Sequence, residues 1–355
     1  MIASLIAFFA LFLQVFLRVP IAFAMIITGT AGFALLRNWD ASLRLTGNAA
    51  FDTVFSFTLS VIPLFILMGN LLTRSGVSDA LFLTAHRSLY RLKGGLAMAT
   101  IVACGGFSAV CGSSLATAAT MSKVAMPSMR KTGYADSLAT GAIAAGGTLG
   151  ILIPPSVILI IYGLITEADI GKLFLAGILP GLFGVVCYIA AVAVTVRLKP
   201  GLAPDEAGVA PITRADITGV IAVVGLFAVI MIGIYGGLFT PSEAAAIGAL
   251  VSLVIAIVRG SLGLRDYLAI CFDTARTSAM IFALIIGAEV FSNFVSYAGL
   301  PDAILAWVSG LAVGPYVVIL ALVLVYIVLG AVLESLSMIL LTVPIFYPLI
   351  LSLDF

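Results

Sequence analysis

The chain has 355 residues, 63% of them hydrophobic and 9% charged, with a mean hydropathy of +1.27. Soluble globular chains are nearer half apolar and a quarter charged, which excludes a soluble enzyme and a disordered regulator. The 17 Lys and Arg nearly cancel the 16 Asp and Glu, leaving no basic face for nucleic acid. Solid apolar blocks, in place of ten-residue alternation, exclude an outer-membrane barrel. What remains is an all-α polytopic membrane protein in a lipid bilayer.

In chain order, apolar segments fall at 1–17, 19–36, 54–73, 95–129, 134–166, 173–196, 217–239, 242–258, 277–299, 303–312, 315–333 and 335–353. The first opens without basic residues and reads as a membrane helix, not a cleaved signal. Residues 78–93 carry Asp79, His86, Arg87, Arg91 and Lys93 among leucines. That is the pattern of an amphipathic arm on the membrane interface, its three Arg and Lys anchored at lipid headgroups. The longest polar stretch, 200–216, makes 197–216 a linker. His86 is the only histidine, which excludes a histidine metal site or triad. Cys104, Cys111, Cys187 and Cys271 lie in or beside apolar segments without paired spacing and read as small buried residues.

Two segments are too interrupted to be simple spans. Residues 95–129 contain Gly105-Gly106 and, near the centre, Gly112-Ser113-Ser114; residues 134–166 contain Gly146-Gly147-Thr148-Leu149-Gly150 and then Pro154-Pro155. As one helix the latter would run roughly 50 Å against a hydrocarbon thickness of about 30 Å. Non-helical backbone at that depth survives only when buried in protein or facing a wet cavity. Residues 95–129 therefore read as a re-entrant hairpin with its tip near 111–114, and 134–166 as a helix broken around 146–155.

The chain also repeats at an offset of about 221 to 223 residues. Phe51-Asp52-Thr53 recurs as Phe272-Asp273-Thr274, Asn70 matches Asn293, Ser114-Leu115 matches Ser335-Leu336, and Pro127 matches Pro348. With 95–129 as a hairpin, and Lys123 inside it left out, thirteen Lys and Arg fall on one side of the membrane and three on the other; as a single crossing the same sixteen divide six to ten. The positive-inside rule prefers the hairpin. An odd number of spans then separates the copies, giving two inverted repeats: 1–196 and, after the linker, 217–355. The N-terminus is placed outside, the first hairpin opens from the cytoplasm, and 315–353 opens from outside. Inverted repeats with hairpins and broken helices are the architecture of secondary transporters.

The first hairpin tip, from Ser108 through Gly112, Ser113 and Ser114, supplies hydroxyls and glycine-exposed carbonyls. The break from Gly147 to Ser156, with Gly150 and Ile153, supplies free carbonyls because Pro154 and Pro155 donate no hydrogen bonds. Hard oxygens without fixed charge suit a monovalent cation such as Na⁺, and half-helix N-termini suit an anionic substrate near Ser113, Ser114, Pro154 and Pro155. The alternative for these small residues is close helix packing. Glu334, with Ser335 and Ser337 beside it, reads either as a functional membrane carboxylate near the substrate or as one held by amides at the hairpin mouth. Glu289 is a weaker candidate, and Glu243, after Thr240-Pro241-Ser242, is an ordinary helix-start acid.

On these residues the chain resembles, over essentially its whole length, the large membrane subunit of tripartite ATP-independent periplasmic (TRAP) transporters. The likeness is strongest in Gly105-Gly106-Phe107-Ser108 through Pro127, in Gly150-Ile151-Leu152-Ile153-Pro154-Pro155-Ser156, and in Leu329-Gly330 through Pro344. The resemblance implies Na⁺-coupled uptake of an organic acid across a bacterial inner membrane, with a periplasmic N-terminus and an elevator-like movement of a hairpin domain. It implies two partners: a small four-helix membrane subunit and a periplasmic substrate-binding protein. One family sodium site maps by resemblance to the first tip and the break after Gly150, a second to Gly330, Glu334, Ser335 and Ser337. The repeat offset puts a second broken helix at about 367–384, past Phe355, so the chain is expected to be a fragment. Competing readings are a stand-alone hairpin-type anion or dicarboxylate carrier and, less favoured, a channel or membrane-embedded enzyme.

Overall fold

The computed structural model describes residues 2–204, 212–260, 262–310, 313–331 and 333–353, and the side chain of Ala215 is not described. Residues 205–211 of the expected linker therefore lie outside the description, as do 311–312 and 332 of the last apolar segments. The described chain is helical throughout, with no strand. Its helices are α1 (Ile2–Phe16), α2 (Ile21–Leu36), α3 (Trp39–Phe55), α4 (Val61–Arg74), α5 (Val77–Leu89), α6 (Gly95–Cys111), α7 (Ser114–Lys131) and α8 (Asp136–Thr148). They continue with α9 (Val157–Thr166), α10 (Ile170–Leu198), α11 (Arg214–Tyr235), α12 (Pro241–Arg259), α13 (Leu264–Tyr297), α14 (Leu300–Gly310), α15 (Pro315–Gly330) and α16 (Ser335–Leu351). Helices α10 to α13 are each long and apolar enough to cross a bilayer.

Polar residues at the helix starts capture amides that have no intrahelical acceptor. Asn38 Oδ1 accepts from Ala41 N–H at 2.7 Å and Asp169 Oδ1 from Lys172 N–H at 2.8 Å, while Thr213 with Asp216 and Thr240 with Glu243 close capping boxes. Glu243 is thus the helix-start acid its position suggests. Helix α3 occupies a polar stretch, 37–53, that carries no apolar block; the Asn38 cap starts it and tertiary contacts hold it. Ser42 Oγ donates to Thr30 O at 2.5 Å and Thr46 pairs with Thr30 at 2.9 Å, tying α3 to α2.

The chain forms two compact units. One falls within Met1–Leu59, Leu164–Glu167 and Thr277–Phe355, the other within Ser60–Gly163 and Ala168–Arg276. In the first, α2 crosses α13 at glycines: a Cβ on Gly29 would lie 2.9 Å from the Phe291 backbone, and one on Gly287 2.5 Å from Ala22 O. Small residues at membrane crossings allow such backbone approach. Phe291, fully buried, packs edge-on against Phe8 with ring centroids 5.1 Å apart.

In the second unit α6 is the central helix, with fifteen of its seventeen residues buried. Helix α12 turns a ridge of Ala244, Gly248, Ser252 and Ala256 inward, and Leu71, Ala256 and Ile270 form a shared apolar core. Asn70 Nδ2 donates to Thr274 Oγ1 at 2.9 Å and Arg74 pairs with Asp273 at 2.7 Å, joining α4 to the start of α13.

Two expectations about single residues are corrected. Arg87 is not a lipid anchor: it forms a buried ion pair with Asp216, each side chain only 10% exposed. Helix α5 turns Val77, Ala80, Leu81, Phe82, Ala85 and His86 into the protein, and Asp216 at the α11 cap supplies the carboxylate that Arg87 meets. Cys104 and Cys111 are buried as expected, but Cys187 and Cys271 are exposed, as apolar surface in a bilayer permits.

Breaking a buried pair leaves an uncompensated charge, so Arg87→Ala is expected to lower unfolding stability by about 3–5 kcal/mol, where a headgroup anchor would cost far less. Thermal unfolding of the purified variant in lipid nanodiscs measures this. Gly29→Ala is expected to cost about 1–3 kcal/mol in the same assay. Gly47→Ala, in open space on α3, is expected to leave stability unchanged or raise it.

Candidate functional site

The first candidate site begins where α6 stops. Gly112 takes a left-handed conformation, φ +63°, and donates its N–H to Ser108 O at 3.1 Å. Glycine adopts that geometry without the Cβ clash that opposes it in other residues. Ser113 turns extended and caps α7, its Oγ accepting from Ala116 N–H at 3.4 Å. Helix α7 then returns along α6. Thr100, near the start of α6, donates to Met129 Sδ at 3.8 Å, and Leu96 N–H donates to Tyr134 OH at 3.3 Å. Both pairs join a residue before the tip to one after it, the more distant on one side meeting the more distant on the other, as an antiparallel helical hairpin requires.

The second component is the interruption after α8. A 3₁₀ turn, Leu149–Ile151, ends the helix, the Pro154–Pro155 bond is cis, and Ser156 starts α9. Without N–H groups, Pro154 and Pro155 cannot donate to Gly150 O and Ile151 O one turn back. Ser156 Oγ replaces one of those bonds, donating to Ile151 O at 2.8 Å, while Gly150 O has no helical donor.

Tip and break touch through their backbones. Val157 N–H, at the start of α9, donates to Gly112 O at 3.3 Å. A Cβ on Gly112 would lie 2.7 Å from Pro155 O, and one on Gly150 2.6 Å from Ser113 O. Gly147 meets Ser114 O and Ala118 in the same way. The residues at this contact are therefore Gly112, Ser113, Ser114, Gly147, Gly150, Pro155 and Ser156. It combines carbonyl oxygens of the break with the first N–H groups of α7, which have no intrahelical acceptor. Neutral oxygens suit a cation without fixed countercharge, and the α7 N-terminus suits an anion.

Not every sequence candidate reaches this contact. Ser108 is fully buried and its Oγ donates to Cys104 O at 2.6 Å, one turn back on α6. Ile153 packs its side chain against Gly181 of α10, and Pro154 approaches Gly177. Thr117 escaped the sequence reading: fully buried one turn inside α7 from Ser113, it places its hydroxyl beside the Cys111 thiol. The signal available was its four-residue spacing from Ser113, which puts both on one helix face.

The second candidate set lies in the other unit. Helix α15 ends at Gly330 and Glu334 caps α16, Oε2 accepting from Leu336 N–H at 3.0 Å and Ser337 N–H at 3.3 Å. Thr342 donates to Met338 O, so Tyr326 OH is the donor in its 2.8 Å pair with Thr342, and the Tyr326 and Phe346 rings meet edge-on with centroids 6.2 Å apart. The two helices again run antiparallel. Gly330 and Glu334 are exposed, Ser335 is half-buried and Ser337 buried. The Glu334 carboxylate thus rests on helix amides through Oε2. Glu289, half-buried on α13, accepts from Thr53 Oγ1 at 3.4 Å. No group of three His, Cys, Asp or Glu side chains able to hold a metal occurs among the described residues.

A family model for the DctM component of the tripartite ATP-independent periplasmic transporter matches residues 8–355. The chain belongs to this DctM family. The C4-dicarboxylate TRAP transporter large permease protein DctM of Pseudomonas aeruginosa is 32% identical over 316 residues, covering 88% of this chain and 73% of that one. The sialic acid TRAP transporter large permease protein SiaM of Vibrio cholerae is 31% identical over 349 residues, 94% and 78% of the two chains. The isethionate TRAP transporter permease protein DctMQ of Oleidesulfovibrio alaskensis is 31% identical over 356 residues, 98% of this chain and 54% of that longer one. These relatives are named as permeases and not as enzymes. DctM membership and the apolar helices together make the chain a multi-pass membrane protein of a transport system.

If Glu334 acts through its cap, Glu334→Ala is expected to cost about 0.5–2 kcal/mol while Glu334→Ser, which preserves a cap acceptor, restores most of it. Thermal unfolding of the two variants at one salt concentration makes the comparison.

Proposed function

We propose that the chain is the large permease subunit of a Na⁺-coupled secondary transporter that imports a small organic acid delivered by a periplasmic binding protein. The observation that carries this reading is the contact of the Gly112–Ser113 tip with the Gly150–Ser156 break. Neutral carbonyls there hold Na⁺ weakly enough to release it, and the α7 N-terminus receives a carboxylate or a comparable anion beside it. Glu334, Ser335, Ser337 and Gly330 form the second cation site of the proposal. Support for two inverted repeats comes from the equivalence of Ser113 and Glu334, both caps of returning hairpin helices, at the sequence offset of 221. The hairpin-carrying part moves in the manner of an elevator, in a bacterial inner membrane with the N-terminus on the periplasmic side.

The partners in this reading are the binding protein and a small four-helix membrane subunit. Its support is the DctMQ relative, whose single chain extends well past the region matched here. The substrates in the names of the three relatives (C4-dicarboxylate, sialic acid and isethionate) are all organic acids, which supports the class and leaves the individual solute open.

A Na⁺ titration of thermal stability tests the proposal, with choline and K⁺ as controls. A ligand of the folded state alone stabilises by about 2.7 kcal/mol at a hundredfold excess over its Kd. A Na⁺-specific rise is expected in the wild-type chain and a smaller one in Ser113→Ala, Ser114→Ala, each measured as the increment over that protein's sodium-free value. A choline-like response of the wild-type chain overturns sodium coupling.

A further inference from the structure

Helices α7 and α8 differ from the rest of the described chain in what they leave exposed. Both bury one side: Thr117, Met121, Ala125 and Met129 on α7, and Ala139, Ala142, Ile143 and Gly146 on α8. They run antiparallel, with Gly147 against Ala118 near the tip and Arg130 paired with Asp136 at 2.9 Å at the base. Their exposed sides therefore form one continuous face. It carries Ala119, Ser122 and Lys123 of α7 with Thr140, Ala144 and Thr148 of α8. Beyond Leu115 at the tip, neither helix exposes a large hydrophobic side chain, whereas α10 exposes Leu179, Leu182, Phe183 and Val186.

Lys123 gives this face a charge. It lies about 14 Å along the helix from Ser114 at the tip and about 12 Å from Lys131 at the base, the hairpin's headgroup end, which is further than a lysine stem extends. A lysine at such depth faces a wet cavity or a counter-charge by default. The one acid of the two helices, Asp136, is held by Arg130 at the base. The hydroxyls on the face spend their protons internally: Ser122 donates to Ala118 O, Thr140 to Asp136 O and Thr148 to Ala145 O, each at 2.7 Å. Ser122 and Thr140 turn lone pairs outward, Thr148 accepts from Tyr188 OH of α10 at 2.9 Å, and Lys123 is left as the donor for an anion.

We propose that this face lines a water-filled passage and that Lys123 is an anion-binding residue within it, a staging point for an organic carboxylate moving to or from the hairpin tip. The identity of the anion rests on the transporter reading above; the water and the charge do not.

The test uses the purified chain in nanodiscs, with Cys187 and Cys271 changed to Ala. Ser122→Cys and Ala144→Cys are each reacted with an anionic and a cationic methanethiosulfonate, beside Leu179→Cys as a lipid-facing reference and the parent as background. Both face cysteines are expected to react about tenfold faster or more than the Leu179→Cys reference, because the thiolate that reacts needs water. Adding Lys123→Gln is expected to lower the anionic-to-cationic rate ratio roughly fivefold or more, and Lys123→Arg to preserve it. Rates as slow as the reference at both positions overturn the passage. A ratio unmoved by Lys123→Gln overturns the role of the lysine. Neither readout needs sodium or a substrate, so failure here and failure of the sodium titration are separate results.

Discussion

The constraint on which this molecule depends is the lack of water in a bilayer core to satisfy a backbone that has left the helix. Each unpaired N–H or C=O there costs several kcal/mol, so an interruption survives only if other groups take over the broken bonds. The chain interrupts itself after Cys111 and after Thr148, and the two interruptions serve each other. Gly112 O, at the end of one helix, receives Val157 N–H from the start of another. Ile151 O, deprived of a donor by Pro155, receives Ser156 Oγ instead. The glycines at 112, 147 and 150 are small because the opposing backbone or side chain lies within 3 Å of where a Cβ would be. Packing and polarity are therefore one design at this contact, and the packing reading of those residues does not compete with the binding one.

The interruptions were legible because their causes are local. Pro154 and Pro155 lack donors whatever surrounds them, and the Gly112-Ser113 pair joins a favourable helix stop to a favourable helix start. Helix α3 was not legible from apolar pattern, since its polar residues are answered by α2, as in the Ser42 to Thr30 bond. Arg87 was misread for a related reason. Its partner Asp216 is 129 residues away, so the local sequence shows an interfacial arginine and only the fold supplies the carboxylate. At the site itself, residue types were visible but hydrogen-bond directions were not. Ser108 turns back to Cys104 O, and Glu334 turns forward to the amides of Leu336 and Ser337.

Charge placement follows the same economy. Where a charged side chain enters the apolar part of the chain, a specific neighbour usually meets it: Asp216 for Arg87, helix amides for Glu334, Thr53 for Glu289. Exposed pairs such as Arg44 with Asp40 lie at helix ends, where water screens them and they contribute little. Lys123 stands apart because its two helices offer only an acid already engaged by Arg130. A charge without a local partner, on a face without large apolar side chains, points to solvent or solute as the missing neighbour.

A site built from neutral dipoles also bears on how coupling could arise. If the carbonyls of the break hold Na⁺ and the α7 N-terminus holds a carboxylate, the two ligands are neighbours with no protein charge between them. At 4 Å and an effective dielectric constant of 20, opposite unit charges attract by about 4 kcal/mol, an upper scale for what each ligand would add to the binding of the other. Such coupling is reciprocal by thermodynamic necessity. A fixed carboxylate at the tip would satisfy the cation by itself and repel an anionic substrate, weakening the linkage it was meant to support. In that case the neutrality of Gly112, Ser113, Gly150 and Pro155 would make the ion and the acid depend on each other, with the only nearby cation of the two helices, Lys123, held back from the tip by more than two helical turns.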